Sequence, residues 1–217
     1  KEVSGTFIAR IPSLNDIFTS FENSEDEIIK DAEEKLSSII KLKNKIKEGR
    51  LDLLKTDDPS WEQQQKTKDS IREIEDQIAE FQKLNEKLNS LNKQSEKHNL
   101  FSEGITEKFR DLQKLVKEIF PPEMFEDMEI MKDALDKLDV KDMISILENI
   151  SNNLNKTEQE LDRFLDIFQR IKAEQKVDEI RKRIEQLAKN QDNLDQQIRS
   201  MNKQTVSSVF KRLTKVI

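Results

Sequence analysis

The sequence predicts an all-α protein: an elongated antiparallel helical hairpin, or coiled-coil bundle, with a long C-terminal helix. Three observations predict this class. Charged residues make up 38% of the chain and hydrophobic residues 34%, so exposed polar surface outweighs core relative to ordinary globular proteins. Only three Gly and four Pro interrupt 217 residues, so tight turns are rare. Apolar residues recur at spacings of three and four, the period of a helix face.

The first twelve residues differ from the rest of the chain. In KEVSGTFIARIP, the apolar residues Phe7, Ala9 and Ile11 alternate with others before Pro12, which is the pattern of a short strand. We expect residues 1–12 to be the end of an upstream domain, with β structure as the class that the alternation favours. The 217 residues are therefore expected to be a piece of a longer protein.

Residues 13–98 are predicted to form a hairpin of two long helices. Gly49 is expected to end the first helix in the left-handed conformation that glycine adopts readily. In the stretch DDPSW, Asp58 is expected to cap the second helix while Pro59 occupies its first position. The predicted bounds of the two helices are 13–49 and 59–98.

A heptad pattern runs along the second predicted helix. Asn85 and Asn92 fall on its apolar seam, where asparagine fixes register at some cost in stability. They are predicted to limit which partner helix the seam accepts. Trp61, close to the start of the same helix, is expected to be a packing anchor, with a binding hot spot as the alternative.

Residues 99–155 are predicted to form a segment of short helices. The stretch HNLFSEG ends the preceding helix near residue 99, and the pair of prolines at 121–122 forces a corner. Asp139 is a predicted cap for a further short helix, which the Asn-rich stretch NISNNLN would end. The methionines of this region are predicted to fill core space, with an adaptable binding surface as the alternative. They are Met124, Met128, Met131 and Met143.

Residues 156–217 are predicted to form a long C-terminal helix. Thr157 and Glu160 have the spacing of a capping box at its start. Two apolar stripes follow, and their phase changes near Gln175 as in a coiled-coil stutter. The first is predicted to be structural and consists of Leu161, Phe164, Leu165, Phe168 and Ile171. The second keeps heptad spacing, interrupted by Gln191, through Val177, Ile180, Ile184, Leu187, Leu194, Ile198 and Met201.

The end of the chain, after Asp195, is basic and amphipathic, with cations that have no acidic residue among them. This composition predicts a docking surface for an anionic lipid or protein surface, and the alternative is a solvated helix end. The residues predicted to form the docking surface are Arg199, Lys203, Phe210, Lys211, Arg212 and Lys215.

The sequence offers little chemistry, and we expect no enzyme activity, catalytic residue, metal site or cofactor. His98 is the single histidine, cysteine is absent, and no glycine-rich phosphate loop occurs. Asp162 and Asp166 share a helix face, but Arg170 is placed to pair with Asp166. The net charge of −6 makes nucleic acid an improbable partner. No stretch reaches the roughly 20 apolar residues that span a bilayer.

The final helix also carries a resemblance to a known family. The run ELDRFLDIFQRIKAEQKVDEIRKRIEQLAKNQDNL, after an Asn-rich stretch, resembles the bacterial coiled-coil family called domain of unknown function 4175. The stretches ARIPSLNDIF, PSWEQQQKTKDSI and HNLFSEGITEKFRDLQKLVKEIFPP are similar to it as well. The resemblance implies the soluble part of a membrane-anchored protein of the bacterial cell envelope, with the periplasmic side favoured. It supplies no catalytic residues.

Together these features predict a noncatalytic helical scaffold or spacer that binds protein partners, or a second copy of itself, through its helical seams. One alternative is a regulatory or sensory coupling module, in which the phase change near Gln175 lets the final helix switch between two packings. Another is a coiled coil of the chromosome-maintenance type. The same stripe can pair within one chain or between two, so the oligomeric state stays open at this point.

Overall fold

The computed structural model describes the backbone of residues 12–213 and the side chains of residues 12–202. All its elements are α-helices, which confirms the predicted class. No strand occurs within residues 12–213. Residues 1–11, where a strand was predicted, lie outside the described residues. The helices are α1 (Leu14–Leu53), α2 (Trp61–His98), α3 (Glu103–Glu118), α4 (Pro122–Lys137) and α5 (Val140–Leu213).

The chain divides into two units, Lys1–Glu174 and Gln175–Ile217. Unit 1 contains α1 to α4 and the first part of α5. Unit 2 contains the rest of α5. The hydrophobic core described below belongs to unit 1.

The first two helices form the predicted antiparallel hairpin. Lys45, late in α1, contacts Glu73, early in α2, at 2.6 Å. Lys87, late in α2, contacts Glu27, early in α1, also at 2.6 Å. Between these ion pairs the apolar face of each helix is buried. The buried apolar residues of α1 are Phe18, Phe21, Ile28, Ala32, Ile39, Leu42, Ile46 and Leu53, and those of α2 are Ile71, Ile74, Phe81, Leu84, Leu88 and Leu91.

The first part of α5 is a second antiparallel neighbour of α1. Arg50, near the end of α1, contacts Glu148 at 2.9 Å, and Asp26, near its start, pairs with Lys172. Residues of α5 thus cover α1 along most of its length. The short helices α3 and α4 complete the core, and the four methionines predicted to fill it are all buried.

Two predicted helix boundaries in the hairpin are wrong. The first helix does not end at Gly49, which is helical; it continues to Leu53 because the extra turn buries Leu53 and brings Arg50 to Glu148. The second helix is capped by Ser60, not by Asp58. The Ser60 hydroxyl accepts from the Gln63 amide at 3.3 Å, and the Gln63 side chain accepts from the Ser60 amide at 2.8 Å.

The start of the final helix is also corrected. Asp139 is the cap predicted, accepting from the Asp142 amide at 3.1 Å, but the helix that it starts does not end in the Asn-rich stretch. Thr157 lies inside α5, well after its first turn, and is no cap. Its hydroxyl donates at 3.1 Å to the carbonyl of Ile119, at the end of α3. Pro121 follows, so the continuing helix that would supply an amide to this carbonyl is absent and Thr157 supplies the donor.

The Asn-rich stretch stays helical because two of its asparagines bind a buried carboxylate. Asn149 and Asn153, four residues apart on one face, donate to the two carboxylate oxygens of Asp127 on α4, at 3.3 and 3.0 Å. Asp127 and Asn153 are both buried. A buried carboxylate needs such donors, and the contact therefore favours helix over a turn at this point.

Phenylalanine rings connect α1, the α2–α3 loop, α3 and α5 at one end of the core. Phe21 contacts Phe101 with a centroid distance of 5.1 Å and Phe109 at 6.2 Å. Phe109 contacts Phe168 at 6.0 Å, and Phe168 stacks on Phe164 at 5.7 Å. Edge and stacked contacts of this kind add to the free energy of burying the rings.

Candidate interaction surface

The first stripe of the final helix lies in the core of unit 1. Leu161, Phe164, Phe168 and Ile171 are at most 1% exposed, and Leu165 is 7% exposed. Asp162 and Asp166, on the other face of the same turns, are exposed. The charged residues of this run therefore face solvent while the apolar ones fill the core.

The second stripe is exposed. Its apolar side chains have between 48% and 67% of their surface open to solvent, although the helix is continuous and Gln175, just before it, is buried. We call this stripe the C-terminal seam. It consists of Val177, Ile180, Ile184, Leu187, Gln191, Leu194, Ile198 and Met201. A row of large apolar side chains in water is unfavourable by itself, and such rows on soluble proteins mark interaction sites.

The heptad seam of α2, unlike the C-terminal seam, is covered inside the chain. Its apolar residues are buried within unit 1, apart from the partly buried Ile78, so this stripe pairs inside the chain. Asn92 is 6% exposed, and its side-chain amide donates to Glu96 at 3.5 Å. Asn85 is half-buried. Unit 1 encloses Asn92, so the helices that it faces belong to the same chain. The role of the two asparagines in limiting which partner helix the seam accepts stays a prediction.

Charged residues flank the beginning of the C-terminal seam. Arg183 contacts Glu179 at 2.6 Å, as the four-residue spacing indicates, and Arg181 contacts Asp178 at 3.2 Å. Lys182 is half-buried, and loss of hydration lowers its pKa, an effect that the Asp178 carboxylate opposes. Cations thus lie beside the first heptad of the seam.

The predicted basic docking surface falls mostly outside the described side chains. Arg199 is exposed. The backbone around Lys203, Phe210, Lys211 and Arg212 is helical, but their side chains are outside the described residues. Lys215 lies beyond the described backbone. The docking surface stays a prediction.

Trp61 does not anchor the fold. It is the first residue of α2 and is 77% exposed, because the helix starts after Ser60 and directs this position outward. The predicted packing role is wrong. An accurate assignment of the cap would have placed Trp61 at the open end of the helix, away from the buried face.

A groove of about 440 Å³ lies between α2 and α4, with Ile71 and Leu135 in its wall. Lys132 extends along it and contacts Glu75 at 3.0 Å and Glu129 at 2.8 Å. Hydrogen bonds to Glu129 and Glu75 raise the pKa of Lys132. This lysine of the groove is therefore paired with acidic neighbours.

No group of three or more His, Cys, Asp and Glu side chains within the described residues is placed to hold a metal ion. In the same part of the chain, no helix has the length and hydropathy needed to cross a bilayer. His98 is the last residue of α2, at the helix end where the sequence placed it.

Comparisons with protein-family models, with curated proteins and with solved structures find no match. The resemblance to domain of unknown function 4175 therefore stays a prediction. Within the described residues, the C-terminal seam is a row of exposed apolar side chains at heptad spacing.

Proposed function

We propose that this chain is a noncatalytic helical scaffold that binds a protein partner through the C-terminal seam. One observation carries the proposal: the seam keeps heptad spacing over about three and a half heptads and is exposed at every apolar position. A stripe that only filled a core would be buried, as the preceding stripe is.

The mechanism of the scaffold is geometric. Unit 1 supplies a packed core that holds the first part of α5, and α5 continues without a break from unit 1 into unit 2. A partner helix that covers the seam removes its apolar surface from water, at a gain of roughly 25 cal/mol per Å². The single polar position, Gln191, restricts the registers in which a partner fits.

Photocrosslinking in the cells of origin tests this proposal. A photoreactive amino acid replaces Ile184 or Leu194 in the seam, and Ile130 on α4, which is 51% exposed, serves as the matched control. We expect covalent protein adducts from both seam positions and none from Ile130. The proposal fails if the seam positions give no protein adduct, or if all three positions give the same adducts.

We further propose that the scaffold belongs to the bacterial cell envelope as part of a membrane-anchored protein. This placement is supported by the family resemblance of the sequence. Fractionation of cells that carry the natural full-length protein tests it. Recovery with membranes is the expected result, and recovery in the cytosol after membranes are removed would contradict it.

A further inference from the structure

We propose that the partner covering the C-terminal seam is a second copy of the same chain, paired antiparallel about a two-fold axis close to Lys189. This inference rests on the proposed function and names its partner. The observations that carry it are the exposure of the seam and the charges that flank it.

The heptad register follows from the spacing of the seam. Val177, Ile184, Gln191 and Ile198 occupy the a positions. The d positions are Ile180, Leu187, Leu194 and Met201. An apolar stripe confined to a and d positions is the narrow seam of a coiled coil. Two-fold pairs are the commonest assemblies of identical chains, so two copies are the expected number.

In an antiparallel arrangement, every position of the seam faces a seam position of the second copy. This arrangement places Val177 opposite Met201 of the second copy and Ile184 opposite Leu194 of the second copy. Leu187 lies opposite Gln191 of the second copy. Every seam position is then covered and no apolar layer extends past the end of the other helix. The two Gln191 side chains occupy the two central layers, where a single polar position per helix fixes register.

The flanking residues favour this direction over the parallel one. The e and g positions of each heptad lie on either side of the a and d seam. In an antiparallel pair, e positions face e positions of the second copy, and g positions face g positions. Arg181 then lies opposite Asp195 of the second copy, and symmetry repeats this attraction at the other end. Asp195 is exposed, and Arg181 is 57% exposed, so both can reach across.

The residues at the centre of the antiparallel pair are also compatible with this direction. Ala188 meets Ala188 of the second copy, and this small side chain lets the helices approach. Asn190 meets Asn190, and amides donate and accept across a two-fold axis.

A parallel pair would be repulsive at the same place. In a parallel pair, the g position of one heptad faces the e position of the next heptad in the other helix. Lys176 of each copy then lies opposite Arg181 of the other copy. Like charges in these flanking positions are unfavourable. The g and e residues of the later heptads offer no opposite-charge pair in compensation: Arg183 meets Ala188, Asn190 meets Asp195, and Gln197 meets Asn202.

Association of the whole chain is measured first, by sedimentation equilibrium over a range of concentrations. We expect a monomer–dimer equilibrium that Leu187→Lys weakens by about tenfold or more, since a cation in a core position must lose its hydration. Ile130→Lys, at another exposed apolar position outside the seam, should leave the dimerisation constant unchanged. Equal helix content of both variants by circular dichroism shows that neither has unfolded.

Charge reversal then tests the direction, because the two arrangements predict opposite signs. Arg181→Glu should weaken an antiparallel dimer, by about 2- to 10-fold, because the introduced carboxylate would face Asp195. In a parallel dimer the same change would strengthen association, since the new carboxylate would face Lys176. Asp195→Arg alone should also weaken the antiparallel dimer, and a mixture of the two variants should recover it as a heterodimer.

Disulfide formation gives a second measure of direction, and the chain has no cysteine of its own to interfere. Ile184→Cys and Leu194→Cys should crosslink when the two variants are mixed and should not crosslink when each is alone. Parallel helices would give the reverse result. The inference is overturned by a chain that stays monomeric, by an assembly of more than two copies, by self-crosslinking of either variant, or by strengthening with Arg181→Glu.

The photocrosslinking described above separates this inference from the function on which it rests. An adduct with the mass of two copies of the chain supports both. An adduct between the seam and a different protein overturns the self-pairing and leaves the scaffold function standing.

Discussion

Single polar contacts in the core of unit 1 decide where helices end and continue. Thr157 donates to the Ile119 carbonyl, and Asn149 and Asn153 donate to Asp127. Each contact joins residues more than twenty positions apart. A buried polar group that loses its partner costs more than the hydrogen bond contributes when formed, so these few side chains have a large effect on stability.

The contribution of Thr157 can be measured with a substitution that keeps its shape. Thr157→Val leaves the Ile119 carbonyl without its donor and should destabilise unit 1 by about 1–3 kcal/mol. Thr19→Val, at an exposed position of α1, makes the same chemical change where no such contact is buried and should cost less than about 0.5 kcal/mol. Urea denaturation followed by far-UV circular dichroism provides the measurement. Equal effects of the two variants would contradict the claim that the hydrogen bond from Thr157 to the Ile119 carbonyl stabilises unit 1.

The stripe around Phe164 and Phe168 gives a prediction about apolar packing, where the Thr157 prediction concerned a buried hydrogen bond. Phe164→Ala and Phe168→Ala should each cost about 3–5 kcal/mol, because both rings are fully buried and stacked. Asp162→Ala and Asp166→Ala should change the free energy of unfolding by less than about 0.5 kcal/mol. Denaturation of the four variants tests this. Large losses from the aspartates would assign the run a role other than packing.

The capping box at the start of α1 predicts a pH dependence. Hydrogen bonds from the Ser13 backbone amide and hydroxyl lower the pKa of Asp16 below its ordinary value of 3.8. Because the folded-state pKa is the lower one, the stabilisation is present above the unfolded-state pKa and is lost as pH falls through the folded-state pKa.

Asp16→Ala should therefore lower the denaturation midpoint near neutral pH and have a smaller effect at a pH below the folded-state pKa of Asp16. Asn15→Ala, a neutral neighbour on the exposed first turn, is the control and should give a pH-independent difference. A constant difference for Asp16→Ala across the pH range would show that the ionised carboxylate does not stabilise the helix start.

At the scale of helices, the sequence predicted the apolar faces well and the helix boundaries less well. Spacings of three and four identified the buried stripe from Leu161 to Ile171, and heptad spacing identified the buried face of α2, because burial and period are properties of the same residues. The end of α1 and the continuation of α5 through the Asn-rich stretch depend on contacts with residues distant in sequence, such as Glu148 for Arg50 and Asp127 for Asn153. Local propensity carries no information about such contacts, so the Asn-rich stretch was mistaken for a break.

The cap of α2 is a helix-scale prediction. Ser60→Ala removes the hydroxyl that accepts from the Gln63 amide and should cost about 0.5–2 kcal/mol. Asp58→Ala should cost less than about 0.5 kcal/mol, because Asp58 lies before the cap and is exposed. Thermal and urea denaturation of both variants check this. If Asp58→Ala lowered the free energy of unfolding more than Ser60→Ala, Asp58 would be the cap of α2, as the local sequence predicts.

The candidate site shows the same division between what a pattern can and cannot predict. The heptad spacing of the C-terminal seam was visible in the sequence, including its interruption at Gln191. Its exposure was not, since the stripe of α2 has the same spacing and is buried. Periodicity identifies the face of a helix that pairs, but the partner is set by the rest of the fold.

For the whole molecule, the division into two units predicts that seam and core respond independently. Leu187→Lys should leave the urea midpoint of unit 1 unchanged at concentrations where the chain is monomeric, because Leu187 is 66% exposed and contributes little to the core. Near-UV circular dichroism of buried phenylalanines such as Phe21, Phe109 and Phe168 reports on unit 1. A lowered midpoint would show that the seam supports the core.

The pairing of α1 with two partners far apart in sequence also sets an order of events during synthesis. The contact between Lys45 and Glu73 spans 28 residues, whereas that between Asp26 and Lys172 spans 146. A ribosome adding about 5–20 residues per second needs roughly 4–15 s to proceed from the end of α2 to Lys172. During that interval the nascent chain exposes the face of α1 that α5 later covers, and Phe109 of α3 lacks its later contact with Phe168. Chaperones that bind aromatic segments should therefore associate with ribosomes that have completed α2 and leave once α5 has emerged.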